Sequence, residues 1–365
     1  MNKKKILHIS QSTGGVKTYV AHILTHANVN DFEFAVIAPE NEFFRGFCEE
    51  RGINYYDVDL HRNINPINNL SALLKILSVI KKERPDIIHA HSAKGGFLGR
   101  AAAQIAHAKV LYTPHAFSYL PFTGLKRTIF YSLELMARKW TTSLLAISHS
   151  EANRAIHELG YKKKQVKTIL NAIPPAKEQI EYRETTALNI RMIGRLTNQK
   201  NHFLFLEIAN LLLKRYPNLS FSILGAGIHD ELAEEIDDFL TINNLKKKVN
   251  ILHWGDAATS SAFLSETDIF VMPSVFEGLP FALLEAMSQG IPCVVSKVDG
   301  NTDVINNNEN GFSCLNIEEF CSKIEMLVND VQLRRKIGMA GREYVSAHHS
   351  ICESTKKLEK IYREI

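Results

Sequence analysis

Residues 268–292 read DIFVMPSVFEGLPFALLEAMSQGIP. Ile269 to Met272 form a short apolar run, as expected of a parallel strand buried on both faces. Pro273 and Ser274 turn the chain, Glu277-Gly278-Leu279-Pro280 follows, and a helical segment runs to its stop at Gly290 and Pro292. Pro280 suits the first turn of that helix, where its missing N–H would have had no partner. Glu277 stands in the loop at the carboxyl end of the strand. Glu285 lies one to two turns into the helix, with seven residues between the two acids. In an open α/β sheet ligands bind at that end of the strands, with the N–H groups of a helix start aimed at an anion.

The same strand–turn–helix cycle repeats outward in both directions. Short apolar runs near 5–10, 33–38, 53–57, 86–91, 109–113 and 143–147 alternate with amphipathic helices. A second series occupies 188–193, 219–224, 249–252, 268–272, 292–295 and 311–314. Each series predicts a doubly wound parallel sheet. NAIPPAKEQIEYRETTA (171–187), a Pro-Pro followed by charge, reads as the linker between them. The predicted organisation is an N-terminal domain over 1–172, a linker over 173–187, a C-terminal domain over 188–345 and a helical tail over 346–365. A chain of 365 residues exceeds a usual single core, in agreement with two domains.

Composition removes several classes. With 45% hydrophobic and 22% charged residues the chain is globular rather than disordered. Its 43 basic and 39 acidic residues leave +4, too mild for a nucleic-acid binder, and no zinc-finger, helix-turn-helix or RNA-binding signature occurs. Cys48, Cys293, Cys314, Cys321 and Cys352 lack paired spacing and read as thiols of a reducing cytoplasm. MNKKKILHIS passes into a strand without a signal-peptide core, and no apolar run reaches membrane-spanning length. The expected location is the cytoplasm.

Several loops at strand ends carry chemistry. Gly194-Arg195 ends a strand and Lys200 starts the next helix; a planar guanidinium and a compact ammonium so spaced can reach one diphosphate from a single loop. Ser12-Thr13-Gly14-Gly15 lets backbone approach a ligand closely, but it lacks the G-x-G-x-x-G of a dinucleotide site, so no NAD is expected. ILGAG (223–227) places Gly225 in a further glycine turn. Asp57-Val58-Asp59 has cation-binding spacing but lies in the first half, away from Glu277, and no metal is expected there. His89 and His91 alternate along a strand and could share a face, but a zinc site would need further ligands in suitable places, and they read as strand-end histidines. His115, in TPHAFSYLPF, follows the fifth strand, where an imidazole can exchange hydrogen bonds with a substrate hydroxyl near neutral pH. Ser148 reads as a helix cap as readily as a substrate contact, and Trp254 as packing as readily as a stacking surface. On a helical wheel for 125–140, Leu125, Ile129, Leu133, Met136 and Trp140 share a face, with Lys126 and Lys139 flanking it and Arg127 and Arg138 opposite. An aromatic loop, Phe117, Tyr119, Leu120 and Phe122, precedes it. The helix reads either as packed on its own domain or as a surface resting on an anionic membrane.

Glu-x7-Glu within FEGLP…EAM, with GRL-x3-K at Gly194 to Lys200, resembles the donor-site signature of retaining glycosyltransferases of family 4, and the likeness covers nearly the whole chain. That resemblance implies the GT-B fold, two Rossmann-like domains facing a cleft, with the last helix crossing back onto the first domain. It implies that Glu277 sits at the transferred sugar and Glu285 on the ribose of the nucleotide. Arg195 and Lys200 would neutralise the donor diphosphate, aided by Gly278, Leu279, Pro280, Phe281 and Ala282 at the helix start. His115 would face the sugar, Gly14 and Gly15 would close over the diphosphate, and Gly225 and Trp254 would border the nucleotide. HAHSAKGGFLGRAAA would shape the acceptor side. The chain departs from the family pattern where Ala172 follows Asn171 in place of glycine, and where Gly300-Asn301-Thr302-Asp303 stands for Gly-x-Pro-Glu.

The expected activity is transfer from a nucleotide-diphosphate sugar, a UDP-sugar, with retention at the anomeric carbon. The acceptor would be a glycan or lipid-linked glycan of bacterial surface-polysaccharide assembly, and no cofactor or metal beyond the nucleotide sugar is expected. A nucleotide-sugar epimerase on the same fold and a non-catalytic nucleotide-sugar binder are the alternatives. The intact Arg195, Lys200, Glu277 and Glu285 favour the transferase.

Overall fold

The twelve apolar runs become strands, and a thirteenth joins them, all parallel, in a computed structural model that describes residues 3–12, 14–60, 66–176, 180–227, 232–255 and 257–365. Seven strands form the first sheet: β1 (Lys4–Ile9), β2 (Phe32–Ala38), β3 (Asn54–Asp57), β4 (Ile87–His91), β5 (Lys109–Thr113), β6 (Ser143–Ala146) and β7 (Val166–Thr168). Their order is β3-β2-β1-β4-β5-β6-β7, so the winding reverses between β1 and β4. The crossover helices are α1 (Gly14–His26), α2 (Glu42–Glu49), α3 (Pro66–Glu83), α4 (Ala93–Ile105), α5 (Gly124–Arg138) and α6 (His149–His157). The short polar β7 lies at the sheet edge, where little burial is needed, and the pattern of apolar runs does not reveal it.

The second sheet holds β8 (Asn189–Ile193), β9 (Ser220–Ala226), β10 (Val249–His253), β11 (Ile269–Met272), β12 (Cys293–Ser296) and β13 (Phe312–Cys314). Its order is β10-β9-β8-β11-β12-β13, with the reversal between β8 and β11. Helices α7 (His202–Arg215), α8 (Ala233–Ile242), α9 (Ala257–Ser265), α10 (Phe281–Ser288), α11 (Ile317–Asn329) and α12 (Val331–His348) accompany it. Every residue of β11 is buried, as parallel strands covered on both faces require. Phe205, Phe221, Ile223, Ile269 and Phe312 belong to the core beneath this sheet.

The units divide as Met1–Asn171 with Ile351–Ile365, and Ala172–Ser350. Two expected boundaries shift. The segment read as a free linker belongs to the second unit, because Ile173 N–H donates to His349 O (3.0 Å), Ile180 N–H to Gln289 O (3.0 Å) and Tyr182 O–H to Gly290 O (2.6 Å). Arg183 adds an ion pair to Asp268; residues 177–179 of that segment lie outside the described residues. The change back falls at Ile351 rather than 346, since α12 continues to His348. The last helix, α13 (Ile351–Glu364), packs in the first unit. Its buried Tyr362 meets Phe32, and Lys4 Nζ donates to the Tyr362 carbonyl at 2.7 Å.

Candidate active site

In each doubly wound sheet the reversal point opens a crevice at the carboxyl ends of the strands. In the second unit that point lies between β8 and β11, and both loops leaving these strands carry the singled-out residues. Glu277, 7% exposed, follows β11, and Lys200 closes a short 3-10 turn (Asn198–Lys200) after β8. Lys200 Nζ stands 2.6 Å from Glu277 Oε1, an ion pair joining residues 77 apart in sequence. The loops are also tied by backbone: Val275 N–H donates to Gln199 O (2.8 Å), and Gln199 Nε2 donates to Phe276 O (3.1 Å). Lys200 has three donors and Glu277 takes one, so the ammonium is held in place and can still meet a phosphate oxygen.

Close approach of backbone shapes the floor. A Cβ on Gly225, at the end of β9, would fall 1.9 Å from Gly194 O, so only glycine lets the two strand ends meet. The Lys200 stem lies across Gly194, and His202 Nε2 donates to Gly194 O at 3.1 Å. Burial, with a smaller contribution from the Lys200 charge, lowers the His202 pKa to about 4 and keeps that ring neutral. Arg195 is half-buried on the same loop. Trp254, half-buried after β10, donates its backbone N–H to Ala226 O (2.8 Å) beside the end of β9.

Helix α10 begins at Phe281, with Pro280 as its N-cap rather than inside its first turn. The opening amides have no carbonyl one turn earlier, which makes this end a site for negative charge. Leu279, Pro280 and Phe281 are packed inward, so what Gly278 to Ala282 offers an anion is chiefly backbone. Glu285 makes no side-chain hydrogen bond or ion pair among the described residues, and burial raises its pKa to about 7. A carboxyl held without a partner is suited to receive hydroxyl donors from a ligand. Gly300, at φ +81°, packs against the Glu277-Gly278 backbone, where a Cβ would be 2.8 Å from Gly278 O. Its N–H donates to Asp303 Oδ2 at 3.0 Å, so the shorter acid of this loop turns back to shape it.

The first unit gathers a different set at its own reversal point. His8 of β1 and His89 of β4 are register partners, His91 follows on the same face, and all three are fully buried. Their ligating atoms lie within 4.8 Å of one another, so His8 supplies the third imidazole absent from the local sequence pattern. A metal is nevertheless poorly served. His89 is hydrogen-bonded to Tyr362 Oη (2.6 Å) and Thr113 Oγ1 (2.9 Å), and His91 to His8 (3.0 Å) and His115 (3.1 Å), which spends both nitrogens of each ring. His115 has φ +55° and Ala116 φ +77°, two successive left-handed non-glycine residues of the kind found at functional sites. Glu151 holds them, accepting from Ala116 N–H (2.8 Å) and Ile147 N–H (2.9 Å). Glu151 escaped the sequence reading, although Ser148-x-x-Glu151 is a helix-start pattern. Ser148 is indeed the cap of α6, accepting from Glu151 N–H at 3.1 Å. Gly14 and Gly15 open α1, and Thr13 lies outside the described residues. Asp57 and Asp59 are exposed.

The aromatic loop requires a correction. Phe117 and Tyr119 are core residues, Tyr119 Oη donating to Glu158 at 2.6 Å, because the loop folds under α5 rather than outward. Arg138 is also inward, bonded to the carbonyls of Leu159 and Gly160. The helix buries Glu134 and Ala137 instead of the predicted stripe, and leaves Leu125 (77%), Ile129 (50%) and Met136 (42%) exposed.

Comparison with known proteins places the fold in a family. Residues 162–344 match the family described as "Glycosyl transferases group 1", and residues 13–177 the "Glycosyltransferase Family 4". The chain is 32% identical over 316 residues to an Escherichia coli UDP-Gal:alpha-D-GlcNAc-diphosphoundecaprenol alpha-1,3-galactosyltransferase, covering 81% of this chain and 79% of that protein. It is 26% identical to the Staphylococcus aureus capsular polysaccharide biosynthesis glycosyltransferase CapM, covering 84% and 83%. Anabaena HepE, solved with UDP and glucose, superposes with a TM-score of 0.83 over the full length of both chains at 16% identity. The chain therefore belongs to the group 1 glycosyltransferases of family 4 and has the GT-B fold, two parallel-sheet α/β domains of seven and six strands.

Proposed function

We propose that this glycosyltransferase moves a sugar from a UDP-sugar, with retention at the anomeric carbon, to a lipid-linked glycan of bacterial surface-polysaccharide assembly. The observation that carries the donor half is the Lys200–Glu277 pair at the reversal point of the second sheet, beside Arg195 and the start of α10. As the anomeric carbon–oxygen bond breaks, the nucleoside diphosphate leaves with the electron pair. Lys200, Arg195 and the α10 amides stabilise that charge, an arrangement already in place before the reaction. Glu277, fixed by Lys200, orients the transferred sugar, and Glu285 accepts from the ribose hydroxyls. His115 hydrogen-bonds a substrate hydroxyl.

The acceptor half is supported by the galactosyltransferase relative, whose name specifies a diphosphoundecaprenol-linked sugar. No helix among the described residues is long and apolar enough to cross a membrane, so a lipid-linked acceptor would be met at the membrane surface. Exposed Leu125, Ile129 and Met136, with Lys126 and Arg127 on the same helix, form a face suited to an anionic bilayer. The test is a panel of nucleotide sugars assayed for tight binding, slow hydrolysis and transfer to a short-chain GlcNAc-diphosphate lipid. Binding and transfer with one UDP-sugar are expected. Interconversion of the sugar without an acceptor would instead establish an epimerase.

A further inference from the structure

The buried histidines of the first unit form a file that ends at His115. His8 Nδ1 lies 3.0 Å from His91 Nε2, and His91 Nδ1 lies 3.1 Å from His115 Nε2. Neighbouring rings are nearly parallel, at 16° for His8 with His91 and 29° for His91 with His115. Tyr19 meets the edge of His115 at 4.8 Å between centroids. Burial lowers the pKa of His8 and of His115 to about 3 and that of His91 well below the ordinary value, so all three rings are neutral near pH 7.

A neutral imidazole has one donor and one acceptor. His91 must then donate in one of its two contacts and accept in the other. The file therefore has only two senses, and either one dictates the tautomer of His115. In one sense His8 donates to His91 and His91 to His115, which places the His115 proton on Nδ1 as a donor. In the other, His115 donates inward and Nδ1 becomes an acceptor. The far end is closed, because His8 Nε2 is buried and makes no hydrogen bond among the described residues. The backbone of His115 is held as well, through the Glu151 carboxylate on Ala116 N–H.

We propose that His91 and His8 are positioning residues that hold His115 in one tautomer and one ring orientation for its hydrogen bond to the substrate. The proposal rests on His115 meeting the substrate, as argued above. The same nitrogen cannot serve as donor to one substrate group and acceptor from another during turnover, so the file also selects which hydroxyl geometry the enzyme accepts.

The test uses the full chain labelled with ¹⁵N-histidine, read by two-bond ¹⁵N–¹H correlation at pH 7. A single tautomer at His115, with the same sense at His91 and His8, is expected. His91→Leu should give mixed tautomers at His115 and lower kcat about tenfold, the equivalent of one lost hydrogen bond, with donor KM little changed. His91→Asn, whose amide can reach the Nδ1 position but not His8, should recover part of kcat while leaving the His115 tautomer mixed. If His91→Leu does not fold, His8→Phe serves instead, since losing the inner partner frees His91 to reverse. Mixed tautomers in the wild type, opposed senses, or an imidazolium at His91 would overturn the proposal. A single-tautomer file combined with full turnover by His115→Ala would also overturn it, but by removing the substrate role of His115 and leaving the file intact.

Discussion

Glu285→Gln should stabilise the protein and weaken its grip on the donor at the same time. The Glu285 carboxyl is raised from the ordinary 4.5 to about 7 by burial without a side-chain partner among the described residues. The folded state thus holds the proton more tightly than the unfolded chain. Stability is complete below the unfolded pKa and falls as pH rises through 7. A shift of that size corresponds to about 3 kcal/mol, and partial exposure of the carboxyl brings the figure to roughly 2–3 kcal/mol at pH 8. Glutamine carries no charge to desolvate, so the variant should gain that amount over wild type at pH 8 and almost nothing at pH 4.5. For a domain of this size the difference amounts to about 5–10 °C in Tm. Other titrating groups cancel when the two proteins are compared at each pH. Binding should move the other way. Ribose hydroxyls donating to a carboxylate favour its ionised form, so wild-type affinity for UDP-glucose should rise between pH 6 and 8. The variant should lose about tenfold to a hundredfold in affinity, the range for a hydrogen bond to a charged group, and its kcat should change little. Thermal unfolding at several pH values and titration calorimetry read both effects. Equal pH dependence of stability in the two proteins would refute the desolvation argument, and unchanged affinity would remove Glu285 from the ribose.

Arg195→Ala and Lys200→Ala should each lower turnover at least tenfold while the protein stays folded; near-normal turnover by both would discard the diphosphate clamp. Lys200→Ala also strands the Glu277 carboxylate, so restored thermal stability in Lys200→Ala/Glu277→Gln would show that the pair is mutually compensating. With an α-linked donor the product should be α-linked by NMR and activity should persist in excess EDTA, whereas a β-linked product would refute retention and chelator sensitivity would reopen Asp57 and Asp59. Wild type should co-sediment with anionic vesicles at low salt and less at physiological salt, and Lys126→Ser/Arg127→Ser should bind markedly less, each basic residue near the surface contributing about 1 kcal/mol; no binding by either protein would favour a soluble acceptor.

Local signals carried the fold. The apolar runs are long enough, and the turns at Pro273, Gly290 and Pro292 sharp enough, that strand–turn–helix units could be read without knowing their neighbours. Two reversal points then follow from parallel strands joined by helices. The edge strand β7 was not legible, because an edge strand of three residues needs no apolar run. Ser148-x-x-Glu151 was legible as a helix start, but not that the Glu151 carboxylate would hold the backbone of Ala116, since that contact depends on where β5 and β6 end side by side.

The sequence by itself picked out the candidate loops, because each motif is built within a short stretch of chain: Gly194 to Lys200, and Glu277 to Glu285. Only the tertiary structure decided that Lys200 pairs with Glu277, that the expected linker is stapled to the second unit, and that Phe117 and Tyr119 are core. It also brought His8 to His91 across 83 residues, which no periodicity encodes. The reason is physical. Spacing along the chain specifies what one helix or loop presents, whereas pKa, tautomer and exposure depend on what other segments press against it, and that is settled by sheet order and burial.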